Sequence, residues 1–236
     1  MTDDKQDAGD APVLAMDGPS GSGKGTISRL TAGRLGWRLL DSGALYRLVA
    51  LSARRAGAPL DDESALASLA RNLDATFAVA ADGGERILLA GDEVTRDIRT
   101  EDCGNDASKV AVMPDVRRAL LGRQRAYRLP PGLVADGRDM GTVVFPDAEV
   151  KIFLTASPEE RARRRHKQLM EKGIDVSLSR LFSEVAERDR RDEQRSVAPL
   201  KPAEDAVVLD TTGLEIPEVV ERVMAIVQAA PGLTLS

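Results

Sequence analysis

Residues Gly18–Thr26 read GPSGSGKGT, and they follow the short apolar run Val13-Leu14-Ala15-Met16. A buried strand that feeds a glycine-rich turn opening a helix is the arrangement of a phosphate-binding loop. Each residue type has its own chemical reason. Small residues let backbone N–H groups curl around phosphate oxygens, the helix N-terminus adds positive potential, and Lys24 reaches the terminal phosphates. Gly18, Gly23 and Lys24 match G-x-x-x-x-G-K, with Pro19, Ser20, Gly21 and Ser22 between them. Gly25 stands where a serine or threonine commonly offers its hydroxyl to magnesium, and Thr26 comes one residue later, which makes Thr26 the candidate hydroxyl ligand.

Composition narrows the setting. The 236 residues are 42% hydrophobic, enough to bury a sizeable core in one elaborated domain. Aromatics supply only 3%, so aliphatic side chains must fill that core. Thirty-three Lys and Arg against 38 Asp and Glu give a net charge of −5, which argues against general nucleic-acid affinity and makes any phosphate binding local. One cysteine, Cys103, excludes an intramolecular disulfide, and with one histidine, His166, a Cys/His zinc site is not available. No run approaches the roughly 18 apolar residues of a membrane span, and the N-terminus has no charged-then-apolar signal pattern. A reducing cytoplasm is expected.

Along the chain, Met1–Asp10 carry four aspartates against Lys5 and read as a disordered acidic tail, ending at about residue 11. Ile27–Leu35 continue as a helix, Arg38–Leu40 as a strand, and the turn Asp41-Ser42-Gly43 opens a helix through Arg55. This alternation predicts an α/β fold with a parallel sheet of P-loop NTPase type flanked by helices. Two apolar runs, Ala75–Val79 and Arg86–Leu89, flank Asp82-Gly83-Gly84 and predict an inserted antiparallel hairpin. A helix over Pro114–Arg128, strands at Gly132–Ala135, Val150–Leu154 and Ala206–Leu209, and a last helix over Ile216–Ala229 complete the pattern. Ser157 and Glu160 around Pro158 form a capping box that starts another helix.

Two further constellations carry chemistry. Asp136-Gly137-Arg138-Asp139 sits where a buried strand ends, the place where open α/β sheets put ligand-binding loops. Asp136 suits magnesium through a water and Arg138 suits a transferring phosphoryl group, although aspartates also favour such turns by capping backbone amides. Arg188, Arg191 and Arg195 recur at spacings of three and four, which puts a row of guanidiniums on one helical face. From Pro158 to Arg195, eleven Lys and Arg meet nine Asp and Glu, so the segment fits a charged, mobile helical pair better than a nucleic-acid stripe.

GPSGSGKGT, LLDSGALYR (Leu39–Arg47), ADGRDMGTVVFPDA (Ala135–Ala148) and ERDRRDEQRSVAPL (Glu187–Leu200), taken in order, closely resemble the bacterial cytidylate kinase family. The resemblance covers nearly everything from Val13 to Ala229. It implies phosphoryl transfer from ATP to CMP or dCMP with Mg2+, by a cytoplasmic monomer that partners neither nucleic acid nor membrane. It also implies a single domain over 12–236, with a monophosphate-binding insertion at about 69–107 and a helical lid at about 158–187. In this reading Gly18 through Thr26 and Arg165 bind ATP, and Lys24, Arg138, Arg188 and Arg195 are catalytic. Ser42 and Arg47 contact the acceptor, and Arg47 and Arg138 grip its α-phosphate. Ser108, Arg117 and Asp139 read the cytosine edge, Arg188 and Asp192 meet the sugar, and Arg195 meets the phosphates. Arg161 to Arg165 lie in the lid over the donor, and Asp41 has at most an orienting part. The rivals are a kinase of a small hydroxylated metabolite such as shikimate, and a nucleotide-binding regulatory switch.

Overall fold

The computed structural model describes residues 11–79, 85–171, 173–195, 197–231 and 233. The acidic tail, apart from Ala11, lies outside them, as does the expected Asp82-Gly83-Gly84 turn. In chain order the elements are β1 (Val13–Asp17), α1 (Lys24–Leu35), β2 (Arg38–Asp41), α2 (Ser42–Ala56), α3 (Glu63–Arg71), β3 (Ala75–Val79), β4 (Glu85–Leu89) and β5 (Asp92–Glu93). Then come α4 (Glu101–Val110), α5 (Pro114–Arg125), β6 (Leu133–Asp136), β7 (Val150–Thr155), α6 (Pro158–Glu171), α7 (Leu178–Glu193), β8 (Val207–Asp210) and α8 (Ile216–Ala229). They form two compact units. One joins the chain up to Asp41 to the chain from Arg125 onward, and the other is Ser42–Gln124.

The first unit is built on a five-stranded sheet in the order β2-β6-β1-β7-β8, with every pairing parallel. All five residues of β1 and all four of β6 are buried, as parallel strands covered on both faces require. Leu14, Met16, Val134, Ile152 and Leu154 of the sheet pack with Ile27 and Ala32 of α1 and with Val219, Val220, Val223 and Val227 of α8. The register sets Met16 beside Asp136, so the chain leaves β1 and β6 at the same edge and the two following loops emerge side by side. Gly18 turns away from β1 at φ 145°, and a Cβ there would lie 1.9 Å from the Leu154 carbonyl oxygen, so no other residue fits.

The ligand-type loop expected after β6 is short, and it passes at once into a helical turn. Met140–Val144 form a π-helical turn, in which the Val144 N–H reaches back to the Asp139 carbonyl (3.2 Å) and the Phe145 N–H to Met140 (2.7 Å). Its N–H groups are tied to Asp17 and its carbonyls to Arg125, whose Nε donates to Val144 O at 2.9 Å.

The second unit carries the antiparallel hairpin, enlarged by β5 into a three-stranded sheet in the order β3-β4-β5. Helices α3 and α4 were not anticipated. Both are capped at their N-termini, Asp62 accepting from Ala65 N–H (3.0 Å) and Thr100 from Cys103 N–H (3.3 Å). The capping box at Ser157 is half formed. Ser157 Oγ accepts the Glu160 N–H (3.2 Å), but the Glu160 carboxylate turns to Arg164 and the Ser157 N–H goes to Thr212.

Gly132, entering β6, lies flat under the indole of Trp37, and a Cβ there would come within 2.4 Å of the ring. Gly132→Ala should destabilise the protein by about 1–3 kcal/mol through overpacking. Urea unfolding followed on the fluorescence of the single tryptophan measures it, and unchanged stability would contradict this packing.

Candidate active site

Helix α1 begins at Gly23, which adopts φ 90° and supplies no side-chain cap, and the first turn holds no acidic residue. No carboxylate of the first turn offsets the positive end of the helix. Lys24 in that first turn is only 6% exposed, and its Nζ lies 3.5 Å from Asp136 Oδ1 at the end of β6. Burial, and then the nearby charge of Arg138, hold Lys24 down at about 8, while Asp136, Asp17 and Asp41 oppose them. Burial pushes the Asp136 carboxyl up against the pull of Lys24.

Arg138 leaves the same strand end as Asp136. Its Nε donates to Asp192 Oδ2 on α7 at 3.1 Å, and its Nη1 to the Gly137 carbonyl at 3.2 Å. Burial alone would lower the Arg138 guanidinium, but Asp192 and Asp136 outweigh it and hold the charge more firmly. Asp192 is 1% exposed and also accepts from Arg195 Nη2. Arg195 stands two residues beyond α7, so the expected row is Arg188 and Arg191 on the helix with Arg195 past its end. Burial works against the charge on Asp192, and Arg138, Arg195 and Arg188 together overcome it. Asp139 is buried and heads the π-helical turn. Arg165 donates to Gln168 at 3.3 Å.

The remaining expected residues lie in the second unit. Ser42 is buried and its Oγ accepts from Gln124 Nε2 (2.7 Å). Arg47 Nη1 donates to the carbonyls of Ile98 (2.6 Å) and Thr100 (3.2 Å). Arg117 is buried, donates to Ala111 O at 3.3 Å and stands 6.0 Å over the ring of Tyr46. The Ser108 hydroxyl is buried with no hydrogen-bond partner among the described residues.

Asp17 is a positioning residue that the motif reading passes over. Its two carboxylate oxygens accept the N–H groups of Met140 and Gly141, each at 2.8 Å, so the residue before the phosphate loop holds the turn that follows Arg138 and Asp139. Burial pushes it up to about 7 despite those two donors. A charged residue closing an otherwise apolar buried strand was the signal available for it.

No group of three or more His, Cys, Asp or Glu among the described residues forms a metal cage. The donor set nevertheless suits magnesium, which keeps several waters and takes one or two protein oxygens alongside substrate phosphates. Asp136 Oδ2 lies beside Gly25, where a Cβ would stand 3.4 Å away, one residue from the Thr26 hydroxyl.

Because the folded-state Asp192 is held below the ordinary carboxylate range, its stabilisation is full above that range and fades as pH falls through it. Asp192→Asn should cost about 3 kcal/mol at pH 7 by leaving the half-buried Arg138 and Arg195 without their shared carboxylate. The loss should begin to shrink as pH falls below about 4, where the unfolded carboxylate takes up its proton while the native one is still ionised, and should go on shrinking toward the lower pH at which the native carboxylate is protonated. Urea unfolding at pH 7 and pH 3 measures both, and an equal loss at the two would contradict the assignment.

The cytidylate kinase family model matches residues 14–229. The chain is 60% identical to the cytidylate kinase of Aeromonas hydrophila, over 91% of its own length and 93% of that protein. It is 63% identical to the cytidylate kinase of Pseudomonas aeruginosa, over 92% and 95%, and 61% identical to that of Stutzerimonas stutzeri, over 91% and 94%. With the phosphate loop, the buried lysine and the arginine cluster in place on a parallel sheet, the chain belongs to the cytidylate kinase family.

Proposed function

We propose that the protein moves the γ-phosphoryl group of ATP to CMP or dCMP, giving ADP and CDP or dCDP. One observation carries the reading: buried Lys24 lies 3.5 Å from Asp136 at the strand end that also sends out the half-buried Arg138, and Arg195 joins Arg138 on Asp192. Like charges gathered in a dry site are costly unless anions arrive to share them. Transfer between two phosphates needs just that, positioning and charge neutralisation rather than a base.

Gly18–Thr26 hold the donor phosphates on backbone N–H groups, with Lys24 on the terminal phosphates and Arg165 in a lid at about 158–187. Lys24, Arg138, Arg188 and Arg195 stabilise the charge spread over the transferring group. Thr26 and, through a water, Asp136 would hold Mg2+, which supplies neutralisation of phosphate oxygens when bound. Arg47 and Arg138 grip the acceptor phosphate, Ser42 contacts the acceptor, and Arg188 and Asp192 meet its sugar. Asp139 accepts from the N4 amino group of cytosine and faces an acceptor in uracil, while Ser108 and Arg117 serve the N3 and O2 edge. The unmet Ser108 hydroxyl supports this, since a buried donor left alone costs about 1–3 kcal/mol. We place the enzyme in the cytoplasm as a monomer within one catalytic domain. No described helix is long and apolar enough to cross a membrane.

A coupled ADP-release assay with ATP, Mg2+ and CMP, dCMP, UMP, AMP or shikimate tests the reaction. Release is expected with CMP and dCMP. Release with shikimate alone, or without any acceptor, would overturn the proposal. Lys24→Ala should lower kcat about a hundredfold while leaving the fold intact, and turnover within threefold of the parent would remove Lys24 from the chemistry. Asp139→Ala should reduce the CMP over UMP preference in kcat/KM by about tenfold to a hundredfold, the worth of one charge-assisted hydrogen bond. Equal loss on both substrates would assign Asp139 to phosphate or metal geometry instead.

A further inference from the structure

Three carbonyl groups of the phosphate loop are held by side-chain donors, one from within the loop and the others from α6 and from the residue after β8. Pro19 O accepts from Ser22 Oγ at 3.0 Å, and Ser20 O from Arg161 Nη1 at 3.1 Å. Ser22 O accepts from Arg164 Nη1 at 3.2 Å and lies 3.3 Å from Thr211 Oγ1, whose one proton is shared between Ser22 O and the nearer Thr155 carbonyl at 2.9 Å. In a trans peptide the C=O and the next N–H point in opposite directions. Fixing these carbonyls therefore fixes the directions of the N–H groups of Ser20, Gly21 and Gly23.

The donors are themselves anchored. Arg161 is 3% exposed and also binds the Ala156 carbonyl (3.0 Å) and both carboxylate oxygens of Asp189 on α7. Arg164 holds Thr211 at both its hydroxyl (3.0 Å) and its carbonyl (2.6 Å), and is oriented by Glu160 (3.0 Å). Thr211 is 1% exposed and is tied by N–H and hydroxyl to the Thr155 carbonyl, each at 2.9 Å. A threonine this enclosed does not reach a ligand.

We propose that Arg161, Arg164 and Thr211 are positioning residues for the donor. They hold the loop's carbonyls outward so that its N–H groups face the donor phosphates before nucleotide arrives. Two of the arginines expected over the donor thus act from beneath its cradle. The inference rests on the proposed use of ATP as donor, and it gives the residue after β8 a part in the reaction that no motif assigns.

Equilibrium binding of ATP, ADP and CMP, each alone, to four single variants and one double variant tests it. Thr211→Val removes one buried hydroxyl and should raise the Kd of ATP and ADP about fivefold, with Thr211→Ser restoring it. Arg164→Met should raise both by about tenfold or more, and Arg164→Lys should recover little, because an ammonium cannot replace the forked clamp on Ser22 and Thr211. CMP binding should stay within twofold of the parent. The Thr211→Val, Arg164→Met double variant should lose less than the product of the single losses, since both act through the Ser22 carbonyl. Full rescue by Arg164→Lys would make Arg164 a direct phosphate ligand and overturn the proposal. Unchanged ATP binding in Thr211→Val, or losses that multiply, would overturn it too. A parent protein that binds no ATP would instead refute the functional reading, which separates the two failures.

Discussion

A peptide group that turns its N–H toward a phosphate must send the neighbouring carbonyl the other way, and in a dry interior that carbonyl needs a donor. On the proposed use of residues 18–26 as the cradle of the donor phosphates, much of the first unit answers this one constraint. The sheet supplies the tight exit at Gly18, α1 begins with its N-terminus uncapped, and α6 and the end of β8 bring Arg161, Arg164 and Thr211 to the outward carbonyls. The sequence distance spanned, from Ser22 to Thr211, explains why a loop of nine residues needs a whole sheet to hold its shape.

The second organising demand is electrostatic. Cations kept away from water are expensive to hold without partners. Carboxylates share the burden. Asp136 is set against Lys24, while Asp192 takes both Arg138 and Arg195. Asp17 has a different task, spending both oxygens on the backbone of the π-helical turn and so tying the exit of β1 to the loop after β6.

What the sequence made legible follows from how local each signal is. The phosphate loop, the buried parallel strands and helix α8, over Ile216–Ala229 as expected, are encoded in contiguous residue types and periodicity. Helices α3 and α4 escaped because their signals, Asp62 and Thr100 as caps, resemble ordinary turn residues until the helix behind them is seen. The π-helical turn could not be read from Met140–Val144, since its cause is Asp17, more than a hundred residues earlier. Likewise the run Arg161–Arg165 offered four similar guanidiniums, and only their tertiary partners separate Arg161 and Arg164, bound to loop carbonyls, from Arg165 beside Gln168.

The central claim is that the terminal phosphoryl of ATP is passed to a phosphate oxygen of a cytidine monophosphate. Following the label from ATP carrying 32P at the γ position, with CMP and Mg2+ present, tests it most directly. Radioactivity is expected in the β-phosphate of CDP, in step with ADP formation. Label that appears as inorganic phosphate, or as an ester on a hydroxyl group, would contradict it.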